Sequence, residues 1–206
     1  MGRYLESSCK ICRRNKEKLY LKGARCESAK CALEKRNFPP GPKTSMVKKM
    51  SEYGRRLREK QKLRFFYGVS ELQMRNYFKK ALAQKGVTGY NLLALFERRL
   101  DNVLFRTHLA RSRKEARQLI RHRHFFVNGR LVDIPSFLLE EGDVVHFPPN
   151  ASAQFTDRLK ILKEKGLPTW LSYEEVDKKV RMIHLPKREE IGSPVQERLI
   201  VEFYSM

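Results

Sequence analysis

Asn128-Gly129 sits between Phe125-Phe126-Val127 and Arg130-Leu131-Val132, and it leaves the local chain one economical course. A two-residue turn of type I′ needs positive φ at both central positions, and Asn-Gly between apolar residues is the strongest short-range signal for it. A hairpin is therefore expected here. Helical spacing precedes it: Leu93, Phe96, Leu100 and Leu104 recur at steps of three and four, which makes one apolar face. A second helix opens at Ser112-Arg113-Lys114-Glu115, a capping box in which Ser112 accepts from the Glu115 amide and Glu115 reaches back. Ala116, Leu119 and Ile120 form its apolar face, while Arg113, Arg117 and Arg121 stand one above another on the other. After the hairpin, Ile134-Pro135-Ser136 breaks the ladder because proline has no N–H to donate. Gly142-Asp143 then turns the chain into a short strand, Val144-Val145-His146-Phe147. The unit expected over residues 97–147 is two helices, a hairpin and a strand. Between Arg98 and Arg130 it carries ten Lys or Arg against two acids, Asp101 and Glu115, as an RNA-binding surface would.

The rest of the chain strengthens that reading. Of 206 residues, 44 are basic and 23 acidic, a net charge of +21 whose field attracts any polyanion. Residues 1–90 contribute +17 of it, residues 91–150 +3 and residues 151–206 +1, so most of the phosphate-seeking charge lies outside the small unit. Nucleic acid is favoured over a membrane surface, because no basic amphipathic anchor stands out and no apolar run reaches spanning length. Met1-Gly2-Arg3-Tyr4 leads into cysteines and lysines rather than an apolar signal region, and Glu6 replaces the Ser or Thr of a myristoylation signal. A cytoplasmic location follows as the expectation.

All four cysteines lie in residues 1–45, as Cys9-x2-Cys12, thirteen intervening residues, then Cys26-x4-Cys31. Two close pairs separated by a loop are the spacing of a structural zinc site, each pair supplying one edge of a tetrahedron. One zinc ion is the expected cofactor; an iron–sulfur cluster held by the same four thiolates is the alternative. Lys10, Arg13, Arg14 and Arg25 stand nearby in sequence and would offset thiolate charge.

Phe38-Pro39-Pro40-Gly41-Pro42 reads as an extended surface spacer. A helix capped by Ser51 and closed by Gly68 follows, with Arg55, Arg56, Arg58, Lys60, Lys62 and Arg64 on it and only Glu52 and Glu59 as acids. So much charge on so many sides reads as a helix laid against phosphates. A further helix from Ser70 turns Leu72, Met74, Tyr77, Phe78, Ala81 and Leu82 inward and Arg75, Lys79 and Lys80 outward; its outer face reads equally well as solvated. Beyond the Pro148-Pro149-Asn150 linker, residues 156–165 look helical, Trp170 should pack against the small unit, and Val180-Arg181-Met182-Ile183 alternates weakly. Gln196 to Tyr204 reads as a strand with Leu199, Val201 and Phe203 on one face.

Catalytic signatures are missing: the sequence has no phosphate-loop, nucleophile-elbow or zinc-protease motif. The histidines are scattered, and Asp101 and Asp133 read better as partners of neighbouring arginines than as nucleophiles. No enzyme activity is expected.

The segments Arg98-Arg99-Leu100-Asp101-Asn102-Val103-Leu104-Phe105-Arg106, residues 112–130, Asp133 to Phe137 and Glu141 to Val145 resemble the small RNA-binding module named after ribosomal protein S-four, an α-L-shaped motif. With Met1-Gly2-Arg3-Tyr4, the four cysteines, Ser51-Glu52-Tyr53-Gly54, Tyr67-Gly68-Val69, Gln73-x-Arg75-Asn76-Tyr77-Phe78 and the ending through Glu202-Phe203-Tyr204-Ser205, the resemblance spans nearly the whole chain. It is to the bacterial small-subunit ribosomal protein S-four family in its cysteine-bearing form. The resemblance implies an α+β, mainly helical fold. It has a metal-bound segment over 1–45, a basic helical domain over 46–91 completed by 180–206, and the module inserted over 92–179. It also implies a structural role in the small ribosomal subunit, with direct, early binding of 16S rRNA that nucleates the subunit body. Contact with protein S-five that bears on accuracy, neighbours near the path by which the messenger enters, and repression of its own messenger complete the picture. The RNA-contacting residues expected in the module are Arg98, Arg113, Lys114, Arg117, Arg121, Arg123, Asn128 and Arg130. In the helical domain they are Arg55, Arg56, Arg58 and Lys62, with Cys9, Cys12, Cys26 and Cys31 as metal ligands. An RNA-modifying enzyme bearing the same module would need a separate catalytic domain, and no segment here could be one. A binder of stalled ribosomal particles would need little beyond the module.

Overall fold

The structure, a computed structural model, describes residues 4, 6–41, 50–146 and 152–206. Met1-Gly2-Arg3, Pro42, Phe147 and the Pro148-Pro149-Asn150 linker lie outside the described residues. The chain divides into two compact units, one formed by Met1–Leu92 with Ser193–Met206 and the other by Leu93–Gly192. No helix among the described residues is long and apolar enough to cross a membrane.

In the first unit, α1 (Ser8–Asn15), a 3₁₀ turn (Gly23–Cys26) and α2 (Ala32–Lys35) form an N-terminal segment that buries Ile11 and Leu19. α3 (Glu52–Tyr67) begins where the Ser51 hydroxyl accepts from the Gly54 N–H at 3.2 Å. It ends at Gly68, whose φ of +63° is the left-handed closure that glycine adopts without a Cβ clash. α4 (Glu71–Ala83) is capped in the same way by Ser70 and buries Met74, Tyr77, Phe78 and Ala81 at helical spacing, whereas Leu72 and Leu82, expected inward, are exposed because they flank that buried face.

The C-terminal segment is α9 (Glu197–Tyr204), a helix where alternation suggested a strand. Its β-prone residues also fit a 3.6-residue period, with Ile200, Phe203 and Tyr204 at i, i+3 and i+4. Packing decides between the two periods. Ile200 is fully buried, Tyr204 stacks on Phe78 at 4.5 Å, Phe203 lies 5.8 Å from Tyr53, and α9 packs along α3.

In the second unit, the chain leaves α5 (Thr88–Glu97) for α6 (Leu100–Arg106) and α7 (Arg113–Arg121), then enters a five-stranded antiparallel sheet. Its strands are β1 (Phe126–Val127), β2 (Arg130–Leu131), β3 (Val144–His146), β4 (Leu171–Glu174) and β5 (Lys179–Met182), in the order β2-β1-β3-β5-β4. The hairpin is the expected one: Val127 faces Arg130, and Asn128 and Gly129 have φ of +49° and +76°. The proline segment does more than end a ladder. The Pro135 and Phe137 carbonyls accept from the Asp101 and Leu100 N–H groups, so residues 134–138 satisfy free donors at the start of α6.

The core joins Leu100, Leu104, Ala116, Ile120 and Phe125 to Val127 and Val145 on the sheet, with Phe155 of α8 (Ser152–Lys165) and Trp170. Pairing of β5 with both β3 and β4 keeps residues 179–182 with this unit. The return to the first unit is therefore at Ser193, where the sequence reading had placed it near residue 180.

Candidate nucleic-acid interface

The arginines of the second unit fall into two classes. Asp101 is buried; Arg99 grips it with Nε and Nη2 at 3.0 and 2.8 Å, and Arg117 donates Nε at 2.6 Å. Burial pushes the Asp101 carboxyl up, but the charges and hydrogen bonds of Arg99 and Arg117 outweigh it and hold the pKa below the usual value. Glu97, also buried, is held by Arg106 through two hydrogen bonds of 2.9 and 2.7 Å and by the Asn102 amide at 2.6 Å. Asn102 in turn accepts from Arg113 Nε at 2.8 Å, and the Arg113 guanidinium lies 4.4 Å from the centre of the Phe105 ring. The expected open stripe of Arg113, Arg117 and Arg121 is thus divided. Arg113 is buried, Arg117 is tied to Asp101, and Arg121 is exposed. Acids on α5 and α6, distant from the helix in sequence, make the difference.

Lys114, Arg121, Arg123, Asn128 and Arg130 are exposed. Arg123 lies 3.7 Å from Asp133, with both side chains open to solvent. Asn128 is committed to the turn, donating to Asp143 Oδ1 and accepting from the Val144 N–H. Arg98 is partly buried and donates to the Leu139 carbonyl at 2.8 Å. Ser112 accepts from the Glu115 N–H, but the Glu115 carboxylate binds the Arg111 N–H and Arg158 instead of closing the box. Arg111, exposed just before α7, was not singled out by sequence; only its place beside a cap hinted at exposure.

α3 shows the same division. Lys62 is buried between Glu17 and Glu59, at 3.1 and 3.0 Å, and Lys60 binds Glu71 at 2.8 Å. Arg56 pairs with Glu202 at 3.0 Å. Arg55 and Arg58 face solvent, Arg55 beside an exposed Glu52. A helix that appeared to lack acidic partners has drawn three of them from other elements.

In the N-terminal segment, Cys9, Cys12 and Cys26 are partly exposed and Cys31 is buried. Burial raises the Cys12 and Cys26 thiols; Cys26, Cys9 and Cys31 push the Cys12 thiol further up, and Cys31 and Cys9 do the same to Cys26, so the four are electrostatic neighbours. The Lys22 N–H donates to Cys26 Sγ at 3.4 Å. As placed, no group of three or more Cys, His, Asp or Glu side chains among the described residues could hold a metal ion. A cleft of about 540 Å³ opens beside Cys9, lined mainly by basic residues.

Two family descriptions match the chain: Ribosomal protein S4/S9 N-terminal domain over residues 3–97 and S4 domain over residues 98–145. Small ribosomal subunit protein uS4 of Syntrophobacter fumaroxidans is 51% identical over 207 aligned residues, covering 100% of each chain. The same protein of Pelotomaculum thermopropionicum is 51% identical and that of Thermodesulfovibrio yellowstonii 49%, again over 100% of both chains. The chain belongs to the uS4 family of small ribosomal subunit proteins. Membership makes it a non-enzymatic constituent of the cytoplasmic ribosome that binds 16S rRNA. The arginines of the second unit thus form two sets: Arg99, Arg106, Arg113 and Arg117 are bound to groups within the unit, and Arg121 and Arg130 are exposed.

Proposed function

We propose that this chain grips a multi-helix junction of 16S rRNA early in assembly and so nucleates the body of the small subunit. The observation that carries the reading is the separation of cations on each unit into internally paired and exposed sets. Lys114, Arg121, Arg123 and Arg130, each exposed on the second unit, meet A-form RNA through phosphates and 2′-hydroxyls. Arg55 and Arg58 give the helical unit its own contact. Backbone cleavage of the 16S 5′ domain with and without the purified chain tests this. Protection concentrated at one junction is expected, and uniform weak protection along the RNA would remove the reading.

The same reading extends to cofactor and partners. Cys9, Cys12, Cys26 and Cys31 supply four soft donors from two turns, which suits one zinc ion or, in its place, an iron–sulfur cluster. The neighbourhood of the four thiols and the N–H directed at Cys26 Sγ support that donor set. A bound ion would cross-link the N-terminal segment. Elemental analysis of the purified chain distinguishes zinc from iron. Protein S-five is the proposed neighbour, with an influence on decoding accuracy, alongside other small-subunit proteins near the path by which the messenger enters. Fidelity-altering substitutions that leave rRNA affinity intact would support a separate protein contact. Repression of its own messenger would use the same RNA-binding faces and is read by a reporter fused to that leader.

A further inference from the structure

Asn128-Gly129 is the only Asn-Gly pair in the chain. An asparagine carboxamide is open to attack by the main-chain nitrogen that follows it, and glycine, lacking a Cβ, hinders that attack least. Both residues are exposed. Beyond the chain neighbours of Gly129, no atom among the described residues lies within 4 Å of where its Cβ would stand. Sequence and exposure alone mark a site that modifies readily, but the surroundings oppose it. The Asn128 Nδ2 donates to Asp143 Oδ1 at 2.7 Å, and its Oδ1 accepts from the Val144 N–H at 2.9 Å. The Asn128 N–H donates to the Val144 carbonyl, also at 2.9 Å, so main chain and side chain are both tied to the start of β3. Asp143 is fixed in turn. Its Oδ2 accepts from the Glu140 N–H at 2.7 Å, its N–H donates to the Glu140 carbonyl, and its carbonyl accepts from the Met182 N–H.

In the reaction, the Gly129 nitrogen loses its proton and bonds to Asn128 Cγ, and Nδ2 leaves as ammonia. A five-membered imide forms, and water opens it at either carbonyl to give aspartate or isoaspartate. Ring closure requires the carboxamide to leave Asp143 and Val144. It also requires the main chain to rotate. The near-planar imide eclipses Asn128 Cβ with the Gly129 nitrogen, whereas the left-handed conformation of the turn, with φ of +49°, holds them nearly opposite across the Cα–C bond. From this geometry we infer that Asn128-Gly129 is a deamidation site that reacts when the hairpin opens, and that Asp143 with the start of β3 keeps it intact in the folded chain. The products bar the return. Aspartate at position 128 loses the Nδ2 donor and sets a second carboxylate against Asp143, and like charges so close repel. Isoaspartate adds a methylene to the main chain, so a two-residue turn no longer returns Arg130 opposite Val127. Deamidation thus separates chains that stay folded from chains that have lain open, whatever RNA they bind.

The test incubates the full chain at mildly alkaline pH, which favours loss of the amide proton, over a series of guanidinium chloride concentrations. Isoaspartate is counted by methyl transfer from S-adenosylmethionine with a protein isoaspartyl methyltransferase. The mass of the tryptic peptide over residues 124–130 locates it. The rate should rise through the unfolding transition in step with the opened fraction of the second unit, and a rate independent of denaturant overturns the proposal. Asp143→Ala, shown by circular dichroism to be folded, should modify about tenfold faster than the native chain in buffer, as loss of a hydrogen bond to a charged group allows. A folded variant that reacts at the native rate overturns the role of Asp143. Should that variant not fold, Asp143→Asn, which keeps the shape and loses the charge, enters the same comparison. Aged chain is finally refolded and briefly digested. Isoaspartate at position 128 should be concentrated in the digested second units, and equal content in digested and resistant units overturns the claim that the product bars closure.

Discussion

At the scale of single residues, the second unit depends on two buried carboxylates. Asp101 meets Arg99 and Arg117, and Glu97 meets Arg106 and Asn102. Removing one partner from a buried pair leaves charge without compensation, which costs far more than the pair itself contributes. Asp101→Asn should therefore lower unfolding stability by about 3–5 kcal/mol in denaturant titration. The acid side of the stability profile follows from the depressed Asp101 pKa. The stabilisation is whole above the unfolded carboxyl's value and is lost as pH falls through the lower folded value. Stability of the native chain should thus fall as pH drops below about 4, and less steeply in Asp101→Asn. Arg121 and Arg117 separate the two uses of arginine on one helix. Arg121→Ala should reduce the salt slope of rRNA binding by about 0.7–0.9 while changing stability by no more than about 0.5 kcal/mol. Arg117→Ala, which removes a charged hydrogen bond to a buried group, should cost about 1.5–3 kcal/mol and leave the slope nearly unchanged. Equal slopes for Arg121→Ala and the native chain would count against its place on the RNA face.

At the scale of elements, α9 is the instructive case. Its sequence, Glu-Arg-Leu-Ile-Val-Glu-Phe-Tyr, is rich in residues that favour strands, and it is helical because its buried face fits against α3. Arg56–Glu202 at 3.0 Å and the Phe78–Tyr204 stack join it to the two helices preceding α5. Tyr204 also donates to Glu71, and burial together with that carboxylate raises its phenol pKa well above the ordinary value. Ile200→Ala should destabilise the first unit by about 2–5 kcal/mol, the usual cost of truncating a fully buried branched side chain. Circular dichroism of the isolated segment 193–206 should show little helix, since an eight-residue helix is marginal without its tertiary partner. A stable helix in that peptide would contradict the packing explanation. The hairpin behaves oppositely: Asn128-Gly129 carries its own conformational instruction, and the folded chain follows it.

At the scale of the whole molecule, charge and the proposed metal site are the levers. A net charge of +21 does not make the protein a uniform cation, because many of its basic groups are matched within each unit. The N-terminal segment has little apolar surface to bury, with Ile11 and Leu19 its main buried aliphatics, so a bound ion should supply much of its order. Chelator treatment of the purified protein should then make residues 1–45 protease-sensitive while the second unit stays resistant. A metal-free chain whose N-terminal segment resists proteolysis to the same degree would remove the structural role of the ion.

What the sequence determined by itself is whatever depends on neighbours close along the chain. The Asn128-Gly129 hairpin, the Ser51, Ser70 and Ser112 caps, the left-handed Gly68 and the burial of Ala116 and Ile120 on α7 were all legible, because their geometry is set within a few residues, whereas Leu72 and Leu82 of α4, expected inward, are exposed. The order of motifs also identified the family. Tertiary structure decided which arginines remain exposed, since the acids that occupy Arg56, Arg113 and Arg117 come directly or through Asn102 from elsewhere in the chain. It also made the C-terminal segment a helix and kept β5 with the second unit. The physical reason is the same in each case: Coulomb pairing and burial act between surfaces brought together by folding, and periodicity along a chain does not specify which surfaces those are.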